Sequence, residues 1–176
     1  LGDLGDDRIV PLFIKLLHKT ALIERKTSEA NALAIALGKI GTPKAQKALD
    51  EYYNLYKNND RLSEGAIIAF RYFNDMKYHP IFVHALNYHK EDRARYEAAI
   101  AIAGFQNPNS YDILRSAFDN ENSWLVKVYI LEALVKLGDP RVYDLLFQIY
   151  NTESETILLR NRISLLGALY QHLSKE

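Results

Sequence analysis

One short turn recurs along this chain at a nearly constant interval, and that recurrence dictates what the chain can fold into. Leu137-Gly138-Asp139-Pro140 has counterparts at Phe105-Gln106-Asn107-Pro108, Phe73-Asn74-Asp75, Ile40-Gly41-Thr42-Pro43 and Leu4-Gly5-Asp6. The capping residues stand 32 apart twice (139−107, 107−75), then 33 (75−42) and 36 (42−6). Small or apolar residues follow three past each cap, at Ile9, Ala45, Tyr78, Ser110 and Val142. Pairs follow six and seven past it, as in Leu12-Phe13, Ala48-Leu49 and Leu145-Leu146. A period in this range marks stacked supersecondary units that bury their apolar faces against one another.

Each unit reads as two helices. In Asn122–Tyr150, Leu125, Val128, Ile130, Leu131, Leu134 and Leu137 recur at helical spacing and give one apolar face. Gly138 suits the left-handed residue that ends many helices. Asp139 is placed to cap the next helix, and Pro140 fits its first position. Val142, Leu145, Leu146, Ile149 and Tyr150 form the second apolar stripe, so the two rods pack antiparallel. First helices are expected at Ser28–Ile40, Leu62–Phe73, Arg93–Phe105, Ser123–Leu137 and Ser154–His172. Second helices are expected at Asp7–His18, Pro43–Lys57, Lys77–Tyr88, Pro108–Phe118 and Pro140–Tyr150. Pro11 and Pro80 fall five past their caps, so those two helices should begin about a turn later.

The segments AIALGKIGTPKAQKAL and EALVKLGDPRVYDLL resemble HEAT-like repeats, closest to the short-period type of the phycobilisome-lyase-like family. The resemblance covers essentially the whole chain. It implies an all-α fold, a right-handed α-α superhelix of about five stacked helical hairpins, with second helices lining the concave face. For function it implies little, because such repeats serve scaffolds, chaperone-like lyases, DNA-repair glycosylases and metal hydroxylases. The expected organisation is a single repeat domain over 1–176. Its repeats fall at about 1–20, 21–58, 59–90, 91–120 and 121–151, with a half-repeat at 152–176. The first helix of repeat one is missing before LGDLGDD. Thr152-Glu153-Ser154-Glu155 has capping-box spacing, and no second helix follows the helix it opens. A piece of a longer chain is therefore expected, with uncapped ends open to end-to-end or other-domain contact.

Composition narrows the partners. The 176 residues are 48% hydrophobic and 25% charged, as in globular proteins. Lys+Arg and Asp+Glu both number 22, so phosphate neutralisation has no basic block to rest on and nucleic acid is not an expected partner. Apolar runs are too short for a membrane span. Cysteine is absent, which removes disulfides, thiolate catalysis and Cys-ligated zinc while leaving the compartment open.

No reaction is legible. His18, His79, His84, His89 and His172 make no His-Glu-x-x-His and are expected at the surface, so no metal or cofactor is expected. Gly38-Lys39-Ile40 lacks the residues of a phosphate loop, and there is no Gly-x-Ser-x-Gly. Tyr52 and Tyr53 fall at core positions, and Trp124 reads as a packing anchor.

One row points to binding. Four and eight past each cap come Val10 and Ile14, Gln46 and Asp50, His79 and Val83, Tyr111 and Arg115, Tyr143 and Phe147. These positions should face solvent, yet most are aromatic or aliphatic, as in interface hot spots. His79, Val83, Tyr111, Arg115, Tyr143 and Phe147 are the expected partner-binding residues, in a groove for a protein segment, either peptide or helix. The competing reading has them filling the seam between second helices. A non-catalytic interaction module is the leading expectation; a lyase-like, DNA-repair-like or chaperone activity on the same scaffold is the alternative.

Overall fold

A computed structural model describes residues 8–152 and 166–167. Among them every regular element is helical. In order these are α1 (Val10–Ala21), α2 (Thr27–Ile40), α3 (Pro43–Tyr56), α4 (Asp60–Phe70), α5 (His79–Tyr88), α6 (Asp92–Gly104), α7 (Ser110–Asn120), α8 (Trp124–Leu137) and α9 (Arg141–Thr152). The fold is all-α, built of helical hairpins. The Leu4-Gly5-Asp6 turn, the capping box at Thr152–Glu155 and the helix over Ser154–His172 lie outside the described residues.

Among the described residues four elbows join first helices to second, and all use one device. Gly41, Asn74, Gln106 and Gly138 carry positive φ (72°, 47°, 49° and 68°). The next residue then caps. Thr42 Oγ1 accepts from the Ala45 N–H at 3.3 Å. Asp75 Oδ1 accepts from the Lys77 N–H at 3.0 Å, Asn107 Oδ1 from Asn109 at 2.9 Å and Asp139 Oδ1 from Arg141 at 2.9 Å. Each cap satisfies an amide that the helix start leaves without a carbonyl. Pro11 and Pro80 stand in the first turns of α1 and α5, where a missing N–H costs nothing. A 3-10 turn at Met76–Tyr78 takes up the slack before Pro80.

The chain forms two compact units, Leu1–Ala98 and Ala99–Glu176. In the first, α2 packs on α1, α3 and α4, and α4 on α3 and α5. Leu17, Ala34, Leu37, Leu49, Phe70 and Phe82 are fully enclosed there. The α2–α4 contact is backbone-close. A Cβ on Gly38 would stand 2.8 Å from the Ala69 Cα, and one on Gly65 would stand 2.5 Å from the Asn31 Cα. Asn31 exploits this closeness. Its Nδ2 donates to the Arg61 carbonyl at 3.0 Å, and its Oδ1 accepts from the Gly65 N–H at 3.1 Å, bridging one turn of α4. A further bond runs from Nδ2 to Glu64 at 2.8 Å.

In the second unit α7 packs on α8. Leu114 and Phe118, Ile130, Leu131 and Leu134, and Leu145, Leu146 and Ile149 supply its core. Ser110 is fully buried, and its hydroxyl donates to the Ile102 carbonyl at 3.1 Å.

Candidate functional site

The second helices α3, α5, α7 and α9 begin one to four residues after their caps (43−42, 79−75, 110−107, 141−139), so each cap sets the register of the row behind it. In the first unit, α3, the end of α4 and the 3-10 turn that leads into α5 frame an open pocket of about 310 Å³. Asp50, Tyr53 and Asn54 line it from α3, with Phe70, Lys77, Tyr78 and Ile81 from the opposite side. Asp50 belongs to the row expected from sequence; the rest of this lining does not. Phe70 and Tyr78 stack at 4.0 Å and 10°, and Tyr53 meets Phe70 edge-on at 5.4 Å. Asp50 accepts from the Tyr78 hydroxyl at 2.7 Å and from Lys77 Nζ at 2.9 Å. The Asp50 hydrogen bond raises Lys77 to about 12, while burial, then Asp50, push Tyr78 up to about 12. Gln46 Nε2 donates to Asp75 at 3.1 Å, tying α3 to the next elbow. His79 and Val83 sit half-buried on α5, and burial lowers the His79 pKa.

In the second unit the row divides. Tyr143 and Phe147 are 44% and 65% exposed, one turn apart on α9, and Tyr150 follows at 45%. Tyr111 shares the register of Tyr143 yet is only 9% exposed. The Arg141 guanidinium lies 3.8 Å from the centre of its ring, held by Asp139 at 2.7 Å and Asp112 at 3.0 Å. Arg115 is half-buried and pairs with Asp119 one turn on. Of the six residues expected to meet a partner, Tyr143 and Phe147 stand well exposed. Tyr111 is covered.

A cation two past the cap recurs, and sequence reasoning missed it. Lys77 and Arg141 are equivalent (77−75 and 141−139), and each reaches back to an acid on the preceding second helix. Each also lies over a tyrosine ring, Lys77 at 4.7 Å from Tyr78 and Arg141 at 3.8 Å from Tyr111. The legible signal was a basic residue at that position, with carboxylates at Asp50 and Asp112 in the preceding repeat.

Three expectations need correction. Val10 is fully buried, because the first helix begins there and its first residue turns inward. Trp124 is 56% exposed and anchors no core. His89 is buried instead of solvated. Its Nδ1 accepts from the Glu91 N–H at 3.1 Å, so the neutral ring carries its proton on Nε2, 3.2 Å from the Ser63 hydroxyl. Ser63 in turn donates to the Asp60 carbonyl at 3.3 Å. Ser63, His89 and Asp60 thus resemble a triad in composition only. Nε2 donates to the serine and has no lone pair to take its proton, so the cluster fastens α4 to the α5–α6 link. Among the described residues no group of His, Asp and Glu is arranged to hold a metal ion, and no helix is long and apolar enough to cross a membrane.

Residues 79–167 match the family described as HEAT repeats. No curated protein matches the chain. Among solved structures, human deoxyhypusine hydroxylase in complex with glycerol is similar at a TM-score of 0.43 and 15% identity, over 97% of this chain and 76% of that one. A likeness at that level says nothing about activity.

Proposed function

The chain belongs to the HEAT-repeat family, and from that membership we propose that it is a non-catalytic scaffold that binds a peptide or helix of another protein on its second helices. The observation that carries this reading is on α9, where Tyr143 and Phe147 present large rings to solvent at successive turns. A side chain of that size on an outward helix position forfeits apolar burial unless a partner supplies it. Balanced charge, 22 basic against 22 acidic residues, suits a surface recognised by apolar contact better than one recognising phosphates.

The test is site-directed photo-crosslinking from position 147, with position 122 as an exposed control off the row. A protein captured from 147 and not from 122 is then titrated against the Tyr143→Ala, Phe147→Ala double variant. Affinity should fall by more than about tenfold with an unchanged melting temperature. Equal affinity, or a lowered melting temperature that accounts for the loss, refutes the reading.

A further inference from the structure

We propose that Tyr143 and Asp144, neighbours on α9, form an arginine-binding site, and that the segment recognised there presents an arginine to it. The inference rests on the scaffold reading above and names the residue by which the second unit recognises its partner.

The template for the site lies one repeat back. Tyr111-Asp112 on α7 stand four and five past Asn107, as Tyr143-Asp144 on α9 stand four and five past Asp139. The structure keeps the two pairs in one register. Ser110, Leu114 and Ala117 are buried along α7, and Val142, Leu146 and Ile149 are buried at the matching places of α9 (142−110, 146−114, 149−117). Asp112 and Asp144 are both exposed. On α7 the pair holds an arginine in three ways. The Arg141 guanidinium lies 3.8 Å from the centre of the Tyr111 ring and donates to Asp112 at 3.0 Å, and the Arg141 carbonyl accepts from the Tyr111 hydroxyl at 3.5 Å. This grip suits arginine, whose flat cation covers a ring with its face and reaches a carboxylate with its edge. Lysine carries a compact point charge that cannot do both. Covered by Arg141, Tyr111 keeps 9% exposure. Tyr143 keeps 44%, and Asp144 beside it is exposed, so ring and carboxylate both stand within reach of a partner. Phe147, one turn on and 65% exposed, takes the apolar part of the same segment.

A displayed library of random peptides is selected on the full chain, and the consensus peptide is synthesised and titrated by fluorescence anisotropy. Arginine should be enriched at one position, beside apolar residues. Replacing it with citrulline, which keeps the shape and loses the charge, should weaken binding about tenfold, and replacing it with lysine about threefold. Asp144→Asn, at an exposed position, should weaken the arginine peptide and leave the citrulline peptide unchanged. The citrulline comparison needs no change in the protein, so the test survives a variant that fails to fold. Asp144→Arg should move the enrichment in a fresh selection from arginine to glutamate. No enriched peptide, an enriched peptide without arginine, or an arginine whose loss costs as much on Asp144→Asn as on the natural chain overturns the proposal. Apolar peptides without arginine, bound less tightly by the Tyr143→Ala, Phe147→Ala double variant, leave the scaffold reading standing while this one falls. An arginine-selective site with no protein captured from position 147 does the opposite.

Discussion

Gln106 holds φ at 49°, where its Cβ crowds the following carbonyl, and only Asn74 shares that burden among the described non-glycine residues. Glycine already occupies the equivalent place in two other elbows, at Gly41 and Gly138. Gln106→Gly should therefore stabilise by about 0.5–1 kcal/mol, and Gly138→Ala should destabilise by about 1 kcal/mol, both readable from urea midpoints. Tyr52 poses a different problem. Its ring is fully enclosed, burial pushes its pKa up, and its hydroxyl has no hydrogen-bond partner among the described residues. Tyr52→Phe removes that orphan and should raise stability by about 1 kcal/mol, or roughly 2–4 °C in melting temperature. His89 sets a pH dependence. Burial lowers its pKa, against weaker opposing pulls from Asp60 and Glu91, with Arg95 adding to the depression. The unfolded chain thus takes up a proton near 6.5 that the folded chain refuses, so stability is full above that pH and falls as acid is added through it. His79 acts in the same sense, while Glu64, raised by burial, acts oppositely around its own ordinary value of 4.5. The slope between pH 7 and 5.5 should reach at most about 1.4 kcal/mol per pH unit for each histidine, and His89→Gln should flatten it.

At the scale of helices, the elbows were legible because their chemistry is local. Thr42, Asp75, Asn107 and Asp139 cap amides two or three residues away, so spacing alone placed α2 through α9 within about three residues of where they lie. The close approach of α2 and α4 was not legible. Ala30 and Ala34 are buried, but the tightest points are Gly38 and Gly65, and the amide that stitches them is Asn31. Its partners lie 30 to 34 residues away, beyond the reach of any local pattern. The same distance hid His89, which meets Ser63 across 26 residues. Gly65→Ala drives a methyl into the Asn31 backbone and should cost about 3 kcal/mol in chemical denaturation, whereas Gly104→Ala, with open space around it, should be close to neutral or slightly stabilising.

For the molecule as a whole, the proposed scaffold reading, with equal numbers of basic and acidic residues, predicts that apolar contact supplies most of the affinity. Binding of a captured partner should change by no more than about threefold between 50 and 500 mM salt, where a phosphate-reading surface would lose about a thousandfold or more. The candidate site was legible as a register and not as a surface. Tyr111 and Tyr143 stand at equivalent positions, but the cation from the following elbow covers the first ring, and periodicity carries no information about what a neighbouring repeat lays on top. In the first unit, main chain meets main chain at Gly38 and Gly65 with no compliant side chain between. With no side chain there to re-pack, that seam has no give, and bulk added at either glycine must displace a whole helix.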